Sequence, residues 1–252
     1  MIINSNIALS KKVPKFKIIF PDPSQANADG LLAVGGNLNI ETLLSAYSKG
    51  IFPWYDNRSP ILWWSPEPRM VLFPMELKVS KSLLQTVKSG KFDCHFDKQF
   101  EKVVKKCSEV TRKDQDGTWI TDEMIEAYIQ LHEAGYAHSV ETYHNNVLVG
   151  GLYGVSLGGI FFGESMFHTQ TNASKVALYH LVNHLIRWNF DLIDVQVPTK
   201  HLESLGARGI SRKEFLKIIE KSQEKDTRKG KWKFSGKYSK NNKNSPPSFP
   251  DQ

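Results

Sequence analysis

Residues 147–197 read VLVGGLYGVSLGGIFFGESMFHTQTNASKVALYHLVNHLIRWNFDLIDVQV, and this stretch decides the fold. Val147–Val155 is an apolar, β-branched run, Ser156–Gly159 is a turn cluster, and Ile160–Phe167 returns as a second strand. The pair predicts a hairpin with a short glycine-containing loop. In Ala173–Trp188, residues Val176, Ala177, Leu181, Leu185 and Trp188 recur at helical spacing, which predicts a helix with one buried face. Leu192–Val197 is a short buried strand ended by Pro198.

Two carboxylates interrupt these apolar runs: Glu164 in IFFGESMF and Asp194 in LIDVQV, with Gln196 two residues further on. Strand side chains alternate between faces, so Asp194 and Gln196 are expected on the same side. A lone acid in a strand is commonly a hydrogen-bonded structural residue. Two acids and a Gln on neighbouring strands also suit a site that orients an amine and takes its proton.

The 252 residues suffice for one large domain or two small ones, and a hydrophobic share of 40% is ordinary for a globular protein. No apolar run approaches the roughly 20 residues that span a bilayer, so no membrane association is expected. The N-terminus MIINSNIALSKK lacks a signal-peptide apolar region. Cys94 and Cys107 match no metal or redox spacing, which fits a reducing cytoplasm. The histidines lack metal-ligand spacing, so no metal is expected. The net charge of +7 is concentrated. From Lys221 onward there are nine basic and three acidic residues, and between Lys78 and Lys113 ten and four. The first segment reads as a solubilising tail or as an arm for a polyanion, with Trp232, Phe234 and Tyr238 among lysines. The second places Lys98, Lys102, Lys105 and Lys106 off the apolar face of a helix, where they are solvated or meet phosphates.

Elsewhere, a short strand is expected at Phe16–Phe20 and a helix at Ile40–Lys49 capped by Asn39. The aromatic segments Ile51–Tyr55 and Ile61–Pro68 read as a small core or as a wall that receives an apolar group or a base. A helix follows over Thr121–Glu133, a strand over Ala137–Tyr143, and the Ser211–Glu214 capping box opens a helix to Lys221. The expected domains are 1–69, small and aromatic-walled; 70–224, catalytic; and 225–252, a basic, disordered tail.

The order β-β-β-α-β over Ala137–Val197 resembles the Gcn5-related acetyltransferase class. It implies an α+β fold with a small N-terminal domain and an acetyltransferase-like domain carrying a mixed sheet. That class grips coenzyme A pyrophosphate with an [RQ]xxGx[GA] loop. The corresponding QTNASK at Gln170–Lys175 has the Gln and neither glycine. FPDPSQANADGLLAVGGNL, YSKGIFPWY, ILWWSPEPRMVL, GTWIT, AHSVETY, LVGGLYGV, FFGESMF, NASKVAL and LIDVQV follow in order, with SLGA after them. With these motifs the chain resembles the leucyl/phenylalanyl-tRNA–protein transferase family over roughly residues 20–216.

The resemblance implies transfer of Leu or Phe from aminoacyl-tRNA to proteins with N-terminal Arg or Lys, marking them for N-degron degradation. No metal or coenzyme is implied, and a cytoplasmic monomer is expected. Carried over by position, Leu152, Phe161, Met166, Leu181, Leu185 and Ile193 form the donor side-chain pocket. Tyr47, Trp54, Trp119 and Tyr128 surround the tRNA 3′ adenosine, and Lys78, Lys81, Lys88 and Lys91 follow the tRNA backbone. Asp194 binds and helps deprotonate the attacking amine, Gln196 holds it in line, and Glu164 meets the acceptor's cation or the aminoacyl group. The chain carries Leu152 and His168 where family members have Met and Ser. Two other readings stay open at this level: a coenzyme A-dependent N-acetyltransferase, and a non-catalytic tRNA- or RNA-binding protein.

Overall fold

The computed structural model describes residues 13, 18–110, 119–233 and 235–236. The strands are β1 (Leu31–Val34), β2 (Phe52–Pro53), β3 (Leu62–Trp64), β4 (Arg69–Leu72), β5 (Asp93–Phe96), β6 (Ala137–His144), β7 (Val147–Leu157), β8 (Ile160–His168), β9 (Leu192–Gln196), β10 (Arg208–Ile210) and β11 (Ser235–Gly236). The helices are α1 (Ile40–Ser48), α2 (Lys81–Lys88), α3 (Phe100–Ser108), α4 (Asp122–Glu133), α5 (Ala173–Arg187), α6 (Lys200–Ser204) and α7 (Arg212–Ser222). The first three strands form a small antiparallel sheet ordered β1-β3-β2. The other eight form one mixed sheet ordered β10-β4-β9-β8-β7-β6-β5-β11.

The central hairpin is present, with its loop reduced to Gly158-Gly159. Helix caps supply the expected side chains: Asn39, Thr121 and Ser211 accept from the Thr42, Met124 and Glu214 amides. Among the described strands only β8 and β9 run parallel, because α5 crosses over between them. Helices cover both faces of the large sheet. One face packs against α2 and α5 through Leu152, Phe161 and Ile193, and the other against α1, α3, α4 and α7 through Tyr153, Phe162 and Leu192. Burial on both faces explains why β7 and β8 read as almost continuous apolar runs. The small sheet joins the second of these cores through Phe52 and Trp63. Cys94 and Cys107 are both buried, one in each core.

Two expectations meet a different outcome. Ile18–Phe20 pairs with no strand, and the rest of the expected strand from Phe16 lies outside the described residues. The segment 225–233 packs onto the body instead of standing free. The Thr227 hydroxyl accepts from the Gly158 amide at 2.9 Å, Lys225 pairs with Asp191 at 2.6 Å, and Trp232 is buried. Phe234 and Tyr238 lie outside the described residues. Among the described residues no helix is long and apolar enough to cross a membrane.

Hairpin packing is tight where β7 and β8 bulge. A Cβ on Gly154 would meet the Phe162 carbonyl and lie 2.7 Å from the Phe161 ring. Gly154→Ala is therefore expected to destabilise the protein by about 1–3 kcal/mol, the usual cost of overpacking. A lower urea midpoint at unchanged slope is the expected readout; an unchanged midpoint would show that the β7–β8 backbone and the Phe161 ring can both give way.

Candidate active site

The pairing of β8 and β9 ends at Phe162 and Asp194, and the strands then separate. A cavity of about 460 Å³ opens in that split. On the α5 side it is lined by Leu152, Phe161, Met166, Leu178, Leu181 and Ile193, with Leu72 and Leu202. On the side of the small sheet it is lined by Phe52, Pro53, Trp54 and Trp119. Glu164, Ser165 and Gln196 stand between these two regions.

Two bulges aim the polar residues. Gly154 pairs with Gly163 and Tyr153 with Ser165, so Glu164 is the extra residue on β8. Likewise Val71 pairs with Asp194 and Met70 with Gln196, which makes Val195 the extra residue on β9. Gln196 itself has φ +65°, in the left-handed region. Simple alternation, which put Asp194 and Gln196 on one face, fails here. Ile193, Val195 and Gln196 line the cavity, whereas Asp194 is fully buried and is not among the lining residues.

Asp194 faces Arg69 instead. The guanidinium donates from Nε to Oδ1 at 2.8 Å and from Nη2 to Oδ2 at 2.7 Å. The Arg69 plane lies between the rings of Phe52 (4.7 Å) and Phe215 (4.6 Å). Asp194 Oδ1 also accepts from the Gln196 amide at 3.0 Å, so the ion pair holds the left-handed turn that sends Gln196 into the cavity. The sequence reading missed Arg69. Its only signal is a charged residue opening the apolar run MVL.

Glu164 is at the centre of the polar region. Tyr47 and Tyr128 donate to its two oxygens at 2.7 and 2.8 Å, and Gln196 Nε2 donates to Oε1 at 3.1 Å across the strand split. The two tyrosine hydroxyls also touch each other. Three contacts link three groups in a closed ring, and each hydroxyl carries one proton. With both hydroxyls donating to Glu164, no proton is left for the contact between them; all three bonds form together only when Glu164 supplies a third proton and one tyrosine accepts it. Burial first, and then the charge of Asp194, pushes the Glu164 carboxyl up from 4.5 to about 7. Burial and Glu164 together push both phenols well above 10, so neither gives up its proton.

The expected residues thus fall into distinct groups. Leu152, Phe161, Met166, Leu181 and Ile193 come together on the cavity wall, while Leu185 is buried in the same apolar core without reaching it. Leu178, a turn before Leu181 on α5, takes that place and could have been found from helical spacing. Trp54 and Trp119 line the cavity. Tyr47 and Tyr128 are fully buried behind Glu164 and expose no ring face for stacking, a correction to their placement around the adenosine. Lys78, Lys81, Lys88 and Lys91 are all exposed, two of them on α2, and none lines the cavity.

Residues 71–220 match the profile of the leucyl/phenylalanyl-tRNA protein transferase family, and residues 36–67 match the profile of its N-terminal domain. The chain belongs to this family. Leucyl/phenylalanyl-tRNA–protein transferases similar to it include that of Syntrophobacter fumaroxidans, 57% identical over 81% of this chain and 87% of the relative. That of Anaeromyxobacter is 53% identical over 86% and 92%, and that of Legionella pneumophila 54% over 84% and 95%. Among solved structures, L-PGS from Bacillus licheniformis is 11% identical with a TM-score of 0.36, covering 69% of this chain and 60% of that one. At that distance it carries no argument about the site. The match to the family profile ends at residue 220, so Trp232 lies beyond it.

Arg69→Met leaves Asp194 buried without its cation and is expected to cost about 3–5 kcal/mol. Adding Asp194→Leu to it should return most of that loss in a double-mutant cycle. Additive losses would show that the two side chains act independently. Glu164 generates a pH dependence. Between pH 4.5 and about 7 the unfolded chain releases this proton while the folded protein keeps it, so stability falls as pH rises through that window. The fall attributable to Glu164 is about 3 kcal/mol, and is complete above about pH 7. Urea titrations across this range should show Glu164→Gln lacking that fall; a parallel offset at every pH would mean that the carboxyl is not shifted.

Proposed function

We propose that this protein transfers Leu or Phe from aminoacyl-tRNA to the N-terminal Arg or Lys of acceptor proteins, marking them for the N-degron pathway. The observation that carries the reading is the cavity in the strand split. It has an apolar end and a polar junction at Glu164 and Gln196. In this reading the donor side chain enters between Phe161, Met166, Leu178 and Leu181. That wall accepts Leu and Phe and penalises polar side chains, which would lose their water without replacement. The terminal adenine meets Trp54 and Trp119, and base–aromatic stacking of this kind is worth about 1–3 kcal/mol. Lys78, Lys81, Lys88 and Lys91 contribute phosphate contacts further along the tRNA.

The ester then lies beside Glu164. The acceptor's ammonium must lose a proton before its nitrogen attacks the carbonyl carbon. Glu164, the carboxyl on the cavity wall, takes that proton when it is in its ionised form, which is accessible near pH 7. A C–N bond forms, the bond to the ribose oxygen breaks, that proton passes on to the ribose oxygen, and the nitrogen releases its second proton to solvent to leave the amide. Gln196 holds Glu164 and the amine in line, Tyr47 and Tyr128 orient the carboxyl from behind, and Asp194 anchors the turn. An aminoacyl ester is already activated, so positioning supplies much of the acceleration. The sheet is of the Gcn5-related kind in this reading, a view supported by the β-β-β-α-β order and the splayed parallel pair β8–β9. The division at residue 69 is supported by the switch from the small sheet to β4.

Purified protein mixed with tRNA bearing labelled Leu or Phe should pass the label to a peptide beginning with Arg and not to one beginning with Ala. Glu164→Gln should lower kcat by about 10²–10⁴, the range for general acid–base groups, with tRNA affinity unchanged. Intact RNA binding without any transfer by the wild type would overturn the reading.

A further inference from the structure

Phe161 is the largest side chain on the apolar wall of the cavity and has little freedom. On one edge the Gly154 backbone leaves no room even for a methyl group beside the ring. Away from the cavity the ring meets Trp232, with centroids 5.9 Å apart, and Trp232 is not itself a lining residue. Trp232 is in turn fixed on several sides. Its indole stacks on His138 at 3.8 Å and meets Trp188 edge-on at 4.8 Å. Its amide donates to the buried carboxylate of Asp97 at 2.6 Å, and Nε1 donates to the Arg228 carbonyl at 3.1 Å. His138 Nδ1 approaches the same Asp97 oxygen at 2.8 Å. The C-terminal segment therefore delivers one rigid aromatic side chain to the back of the donor-pocket wall.

We propose that Trp232 is a specificity-determining residue, setting through Phe161 the depth of the pocket and hence the ratio in which Phe and Leu are transferred. This rests on the cavity being the donor side-chain pocket. A void behind Phe161 lets its ring withdraw from the cavity, because neighbouring side chains only partly close such a space. A deeper pocket keeps its contacts with Phe and loses them with the shorter Leu. Small differences of apolar fit are worth about tenfold or more in discrimination.

The test is the kcat/KM ratio for Phe-tRNA over Leu-tRNA with one Arg-initiated peptide, in the full-length chain. Trp232→Ala is expected to raise the ratio about tenfold, and Trp232→Phe, which keeps an aromatic ring in the core, to raise it by a smaller factor. Thr227→Val removes a tail anchor that does not touch Phe161 and should leave the ratio within about twofold of wild type. A purely structural role for Trp232 lowers both donors together and leaves the ratio unchanged. That result in Trp232→Phe, or an equal shift in Thr227→Val, overturns the proposal. If Trp232→Ala fails to fold, Trp232→Phe decides alone. A wild type that transfers neither amino acid overturns the reading of the cavity, and this proposal with it; normal transfer with an unmoved ratio overturns this proposal alone.

Discussion

The buried pair between Arg69 and Asp194 is the constraint from which the site takes its shape. It joins two neighbouring strands, β4 and β9, and its guanidinium sits between a ring from the small sheet and a ring from α7. Stability is a poor explanation for such a pair, since well-packed apolar residues often replace buried ions without loss. Direction is a better one. A bidentate fork fixes the plane of the Asp194 carboxylate, and that carboxylate fixes the Gln196 amide in a turn that few non-glycine residues adopt.

The same division of labour recurs at Glu164. Its position at a bulge turns it out of the β7–β8 ladder toward two tyrosines that solvent cannot reach. The proton count of the ring and the desolvation of the carboxyl lead to the same state, a neutral acid poised to ionise near pH 7. A base for an amine is most useful there, because its two protonation states exchange with little driving force in either direction.

Around this polar junction the wall is made of side chains that are themselves held from behind. Phe161 lies between Gly154 and Trp232, and Trp64 Nε1 donates to the Trp54 carbonyl at 2.6 Å. A pocket that selects by shape needs that support, since apolar contacts have no direction of their own.

Local pattern alone located most of the elements. The hairpin, the amphipathic helices with their Asn, Thr and Ser caps, and the buried strand carrying Asp194 follow from side-chain period and cap chemistry, which act over a few residues. Glu164, Asp194 and Gln196 stood out because a polar group in an apolar run demands a partner. What those partners are was not legible. Arg69 lies 125 residues from Asp194, and Tyr47 lies 117 from Glu164. Period-two alternation misplaced Gln196 because a bulge inserts a residue and resets the phase. Helical spacing put Tyr47 and Tyr128 on buried faces, whereas the family resemblance set them around the adenosine; Trp232 read as part of a basic tail because composition records polarity and not depth. Only the tertiary structure, by choosing which surfaces meet, decided which of these aromatic rings face the cavity and which stand behind it.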